Sequence, residues 1–412
     1  MQGFFYGKRN RFEESPYFRP KLFSMKIVLL DTPDRIHLLP LTFTRPVSEI
    51  RVGILTIKEK WEQRTHAEIG YRTQNYLTAK YGNTLSGQVL LVHGGLCPND
   101  AVLKALENLK EGESLQAGET ILAQRGDASE GFRQGLKVVH LGEEFTLIDR
   151  PWKIFHQNAV QLEEDFEWIT RGRESAPLSS TNTVLGDRIF MEEGAEAECA
   201  IFNTHSGPVY LGRDSVVMEG SVVRGALALC EHAQLKLSTK IYGATTVGPH
   251  SKVGGEVNNS VITGYSNKGH DGFLGNSVLG EWCNIGADSN NSNLKNNYDE
   301  VKLWSYARQG FARTGLQFCG LIMGDHSKCG INTMFNTGTV VGVSANIFGA
   351  GFPRNFIPSY SWGGASGFTT YNLEKALKTA ALVMERRGIE LDETERSILA
   401  HIFEETASFR QN

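Results

Sequence analysis

The sequence predicts an α/β domain followed by a parallel β-helix, with helices closing the C-terminus. Three observations predict it. Leu211, Val217, Val223, Leu229, Leu235, Ile241, Val247 and Val253 are apolar at every sixth position without a miss. The rhythm returns at Phe273, Leu279 and Ile285 and again at Met323, Cys329, Phe335, Val341 and Ile347, after a weaker start at Leu185, Met191 and Ala197. Upstream, short apolar runs alternate with helical patterns. A period of six fits neither a helix nor a flat strand, but it suits hexads that each form one side of a triangular prism. One aliphatic side chain per side points inward, and each contributes about 1.5–3 kcal/mol on burial.

Residues 1–24 are aromatic and basic in patches and lack the apolar core and cleavage site of a signal peptide. They read as an N-terminal extension, with a docking arm as the alternative. Residues 25–170 form the α/β domain, with strands expected at Ile27–Leu30, Val89–Val92, Thr120–Ala123 and Lys137–Leu141. Asn99 or Asp100 caps a helix carrying Val102, Leu103, Leu106 and Leu109, and a second helix is expected from Trp152 to Trp168. This alternation predicts a largely parallel, Rossmann-like sheet. Polar residues 171–182, with Pro177, mark the boundary, and the β-helix is expected over 183–355. Its ladder jumps between Val253 and Phe273 and vanishes between Ile285 and Met323, where a long loop is expected to carry function. Residues 370–412 form two helices, the second opening on a capping box from Asp392 to Glu395.

Composition excludes several classes. Lys and Arg number 42 against 46 Asp and Glu, a net charge of −4, so no basic excess points to nucleic acid. No apolar run approaches the roughly 18–20 residues that span a bilayer. The six cysteines form no Cys-x-x-Cys pair, which argues against zinc or a disulfide framework and for a cytoplasmic protein. Cys199, Cys230, Cys283 and Cys329 lie in or beside hexads, where a thiol serves as a small apolar filler.

Two stretches carry candidate chemistry. The loop after Leu30 brings Arg35, Arg45, Arg51, Lys58 and Lys60 near a strand end, where guanidinium groups pair with phosphate oxygens; surface salt-bridging is the alternative. The phrase Asn267-Lys268-Gly269-His270-Asp271-Gly272-Phe273-Leu274-Gly275 lies between the two ladder slips. A histidine titrating near neutrality suits proton removal from an acyl acceptor, and amides of the Asn284–Ala287 turn would stabilise the oxyanion. His205, His232, His250 and His326 are the other candidates for the base.

Gly269-His270, Phe273-Leu274-Gly275, Leu279-Gly280, Asn284-Ile285-Gly286-Ala287 and Asn297-Tyr298-Asp299 together resemble the acetyltransferase half of the bifunctional GlmU enzymes. That resemblance implies a nucleotidyltransferase-like front domain and a left-handed β-helix of hexapeptide repeats. It also implies acetyl-CoA as donor, a sugar phosphate or nucleotide sugar as acceptor, and a homotrimer. Carried over by residue, His270 resembles the catalytic base. Asn284 contacts substrate, Ala287 lies near the thioester, and Asn297 and Tyr298 bind the acceptor. Phe273 replaces a family tyrosine, Asn258 a phosphate-binding lysine, and Lys302 stands one residue from a later lysine. In the front domain, Arg35, Pro40-Leu41-Thr42 and Pro46 resemble the nucleotidyltransferase signature, while its Gly-rich part has become Asp31-Thr32-Pro33-Asp34. His93-Gly94-Gly95-Leu96-Cys97-Pro98 stands where the family places a magnesium-binding Asp. The expectation is a domain that binds a sugar nucleotide with weak or no nucleotidyl transfer. Mg2+ at Asp31, Asp34 or Asp100 is the alternative, as are an active front domain with a non-catalytic β-helix and a non-catalytic binding module.

Overall fold

The computed structural model describes residues 26–410, so the extension expected at residues 1–24 lies outside the described residues. The front domain is built on a six-stranded sheet: β1 (Lys26–Leu30), β2 (Glu68–Arg72), β3 (Gln88–His93), β4 (Glu113–Ala117), β5 (Thr120–Asp127) and β6 (Lys137–His140). Their spatial order is β2-β1-β3-β5-β4-β6. β1 pairs in parallel with β2 and β3, whereas β5 runs antiparallel to both β3 and β4. The sheet is therefore mixed rather than largely parallel. Ile27, Val28, Leu29 and Leu30 are all buried, because β1 is covered on both faces. Helix α1 (Ile57–Thr65) opens on a reciprocal capping box between Thr56 and Glu59. The Asn99 side chain accepts from the Val102 amide to cap α2 (Asp100–Asn108). The single helix expected from Trp152 to Trp168 is two, α3 (Pro151–His156) and α4 (Asn158–Thr170).

The β-helix follows from Thr183 onward as three stacked parallel sheets, one per prism side. Met191, Ala197, Leu211, Val217, Val223, Leu229, Leu235, Ile241, Val247 and Val253 fill its interior as the period requires, and Phe202 joins them off the period. Two details differ from the reading of the period. Leu185 is 45 % exposed, and Val184, which pairs with Phe202, faces in. The ladder does not jump after Val253; it continues through Val257, Ile262, Lys268, Leu274 and Leu279. Short turns in those coils displace the register, so Leu274 rather than Phe273 points inward. Of the four thiols expected as fillers, Cys230, Cys283 and Cys329 are buried, but Cys199 is exposed at a corner.

The stretch expected as a long loop is structured. Asn290–Asn291 pairs with Met334–Phe335 and continues one prism side. Lys302–Ser305 and Gly310–Arg313 form an antiparallel hairpin, with Val301 and Leu303 buried and Trp304 stacked on Phe356 at 4.1 Å. That packing fixes the insertion against the prism.

One prism side is covered by the front domain. Val261, Val278, Ile322 and Val340 on that side join Ile27, Leu29, Val92 and Phe155 in a single apolar cluster. Leu162 and Phe166 of α4 pack on Phe190, Tyr210 and Ala228. Helices α5 (Leu373–Glu385) and α6 (Glu393–Glu405) fill the angle between the two parts, against Trp282, Val343 and Tyr360 of the prism and Leu39, Phe43 and Leu77 of the front domain. Asp392 caps α6 through the Glu395 amide, but the Glu395 carboxylate pairs with Lys80 instead of closing the box. No helix among the described residues is long and apolar enough to cross a membrane.

Candidate functional site

The coil that carries His270 leaves the prism at Gly269 and returns at Phe273. Asn267 and Lys268 form a short strand beside Lys252 and Val253, and Phe273–Gly275 pairs with Glu256–Asn258. Between them the chain bulges outward, and His270 and Asp271 are exposed. The bulge needs its glycines. Gly272 has φ of 114°, and a Cβ there would lie 2.1 Å from the Ser289 carbonyl oxygen. The Asp288 amide donates to the Asp271 carbonyl (3.0 Å), the Glu256 amide to the Gly272 carbonyl (3.2 Å), and the Phe273 amide to the Asn290 side chain (2.8 Å). The loop is thus pinned at several points while its imidazole stays in solvent.

Asn284 is exposed on the next coil, one register step from Asn267, and half-buried Ala287 follows it. Asn258 lies on the preceding coil opposite Gly275, and Phe273 is half-buried. These residues therefore gather on adjoining coils around the bulge. The structure does not bring Asn297, Tyr298 and Lys302 into that group by any contact. Asn297 bonds the Asp299 side chain and amide in its own turn, Tyr298 is 66 % exposed, and Lys302 is exposed on the hairpin. The expected oxyanion donors also change. The Asn284 amide donates to Ser327 and the Gly286 amide to Cys329 within the coil ladder, so neither is available.

The other histidines sort by environment. His232, His250, Tyr265, Trp282 and His326 stack ring on ring along one prism corner, with centroids 4.7, 4.9, 4.3 and 6.2 Å apart. Burial pushes His326 down to about 3, so it stays neutral and is a poor proton acceptor. Burial also lowers His250, helped by its neighbour His232.

In the front domain, the cationic residues expected to hold phosphate are largely turned inward. Arg45 is buried between the two parts of the chain, pairing with Asp325 and with Glu281 (3.1 Å). Thr44 donates to the same Asp325 oxygen (2.7 Å). Burial works against the Arg45 charge, but Asp325 and Glu281 hold its pKa well above the ordinary value. Arg51 donates to the Ile54 carbonyl and lies 3.5 Å from Glu59. Arg35 donates to the Thr42 carbonyl and to Tyr76 (2.8 Å), and the buried Thr42 hydroxyl donates back to the Arg35 carbonyl. Lys58 pairs with Glu62 on its own helix. Arg45 and Arg51 thus organise the fold rather than an open phosphate cradle.

What stands at the carboxyl ends of β1 and β3 is a different set. The His93 Nδ1 accepts from the Gly95 amide (3.0 Å), which leaves its Nε2 to donate to Thr32 Oγ1 (3.0 Å). Burial lowers the His93 pKa, with Asp34 and Asp149 opposing. His37 is lowered by burial and by Arg150, against the same two carboxylates. Thr32, Asp34, His37, His93, Asp149 and Arg150 therefore share one neighbourhood. Sequence reasoning could not reach Asp149 and Arg150, which come from a distant loop before α3. The carboxylates named for magnesium form no cluster among the described residues, and Asp34 lies 3.9 Å from His37. Asp31 accepts from the Val47 amide and the Thr73 hydroxyl and is pushed up by burial. Asp100 faces Arg64, and no three His, Cys, Asp or Glu side chains converge among the described residues.

Comparison with known proteins bears on the front domain first. Residues 27–174 match the family model described as sugar nucleotidyl transferase. Among solved structures, the chain is similar to a UDP-N-acetylglucosamine acyltransferase from Arabidopsis at 15 % identity and a TM-score of 0.25, covering 52 % of this chain and 78 % of that one. It is similar to an N-acyltransferase from Bacillus cereus, solved with dTDP-4-amino-4,6-dideoxyglucose and coenzyme A, at 10 % identity and a TM-score of 0.21, over 49 % and 91 %. The UDP-N-acetylglucosamine acyltransferase from Campylobacter jejuni matches at 14 % identity and a TM-score of 0.18, over 57 % and 95 %. No curated protein matches the chain.

Proposed function

From a sugar nucleotidyl transferase domain joined to a parallel β-helix, the arrangement of GlmU-like proteins, we propose a transferase whose β-helix moves an acyl group from coenzyme A to a sugar phosphate or nucleotide sugar. The observation that carries this reading is the pinned, glycine-bounded bulge that leaves His270 exposed, three residues after Asn267, which pairs with Asn284 of the next coil. His270 takes the proton from the acceptor amine or hydroxyl as it attacks the thioester carbonyl. The carbon–sulfur bond then breaks, and the thiolate of coenzyme A leaves with that proton. Asn284, Ala287, Phe273 and Asn258 line the approach, and Asn297, Tyr298 and Lys302 meet substrate only if their loop or a neighbouring subunit closes over it. Acetyl-CoA is the donor to try first.

The front domain, on this reading, binds the sugar nucleotide at the Thr32, His93 and Arg150 end of its sheet and transfers nucleotide weakly or not at all. The assembly is a homotrimer in the cytoplasm. Ile201 and Val222 lie exposed side by side on a prism side that the front domain leaves open, which supports self-association. The test is incubation with acetyl-CoA and a panel of amino-sugar phosphates and nucleotide sugars, following free thiol. Release with one acceptor and none without it is the expected result; no release with any acceptor sinks the reading. The match of residues 27–174 favours a second reading, an active nucleotidyl transferase. Magnesium-dependent pyrophosphate release from any nucleoside triphosphate and sugar-1-phosphate pair would establish it.

A further inference from the structure

We infer that Lys268 is the positioning residue of the His270 loop, anchoring it from inside the prism. The functional half of this inference rests on the role proposed above for His270; the anchoring itself does not. Lys268 pairs in register with inward-facing Val253, and the following coil places Ile285 at the same level. Its side chain therefore stands in a ladder of aliphatic groups and is only 2 % exposed. An ammonium in such a place loses its hydration and must be compensated by what it touches. The hydrogen bond that compensates it is to the His270 carbonyl, with Nζ 2.6 Å from the oxygen. No carboxylate lies within ion-pair distance of it among the described residues; Asp271, Asp288 and the Cys329 thiol are the titratable groups that act on it. Burial lowers the amine to about 8.

An aliphatic residue would satisfy the ladder without that cost, so fold stability does not explain the lysine. The bond explains it. The bulge is held from outside by the Asp288 and Glu256 amides, which grip the carbonyls of Asp271 and Gly272. Lys268 grips the carbonyl just before them, on the residue whose imidazole must be aimed. Asn291 shows the same device one coil on: it is buried at an inward position, and its amide group bonds both the N–H and the C=O of Gly275.

The test is Lys268→Met, which matches the side chain's length and suits an apolar ladder. The melting temperature should stay within a few degrees of wild type or rise. Hydrogen exchange at the Glu256 and Asp288 amides should accelerate about ten- to a hundredfold as their acceptors loosen. The remote Gln234 amide, bonded to Ser251, should keep its rate. In acyl transfer kcat should fall about tenfold or more with KM for acyl-CoA unchanged. If wild-type protein shows no transfer, the function proposed above fails while exchange still reads the anchor. Unchanged exchange at Glu256 and Asp288 in a folded variant overturns the inference. So does a global loss of protection with a lower melting temperature, because the amine would then be a strut of the fold.

Discussion

At the scale of single residues, the histidines give the sharpest expectations. His270→Ala should lower acyl transfer by ~10²–10⁴-fold, the usual share of a general base, and leave coenzyme A binding nearly unchanged. Wild-type turnover in that variant would move the role elsewhere, and the exposed His205 would be next to test. His326 makes a pH prediction. Burial depresses it from the ordinary 6.5 to about 3 in the folded chain. Between those values the unfolded chain binds a proton that the folded chain refuses. Its contribution is therefore intact above pH 6.5 and is lost as pH falls toward 3, at up to about 1.4 kcal/mol per pH unit. His326→Gln should flatten the acid side of the stability curve relative to wild type, as read by denaturant midpoints at pH 7 and pH 5. Arg45 separates two accounts of one residue. Arg45→Ala leaves the buried Asp325 carboxylate without its cation and should cost about 3–5 kcal/mol of stability. Loss of nucleotide affinity in a variant of unchanged stability would restore the phosphate-binding role.

At the scale of elements, the hexad ladder was the most legible feature, because a prism interior accepts only what fits its width. Val223→Asp puts an unpaired carboxylate where Val217 and Leu229 pack, and it should abolish the folded β-helix as followed by far-ultraviolet circular dichroism. The period failed where turns shorten. After Val253 the inward positions are Val257, Ile262, Lys268 and Leu274, spaced by four, five, six and six residues, and no fixed stride finds them. That slip made Phe273 look interior and hid Lys268. The front sheet was legible as alternation but not as direction, since an apolar run does not say which way a strand runs. The hairpin at Lys302–Arg313 falls where the period is lost and reads as part of a long loop in sequence, and its order comes from Val301, Leu303 and Trp304 packing on distant residues. For the candidate site, the setting of His270 was legible in its flanking glycines and the slips of the period, whereas Asn284 was reached only through the resemblance to GlmU enzymes. Asp149 and Arg150 were invisible because only the folded chain carries them to His37 and His93.

At the scale of the molecule, the two parts share one interior. The proposed homotrimer makes a direct prediction: sedimentation at micromolar concentration should give three times the chain mass, and an active monomer would contradict it. The common cluster of Ile27, Leu29, Val92, Val278, Ile322 and Val340, bolted by Arg45 to Asp325 and Glu281, has a consequence for how such a chain can be divided. Neither part owns a complete water-facing surface. A fragment beginning after Arg171 would present Val261, Val278, Ile322 and Val340 to solvent as one sticky wall, and should come out of a cell aggregated. Heating the intact chain should give one calorimetric transition instead of two. A graft of this prism onto another front domain would need a matching wall, so the halves can be engineered only as a pair.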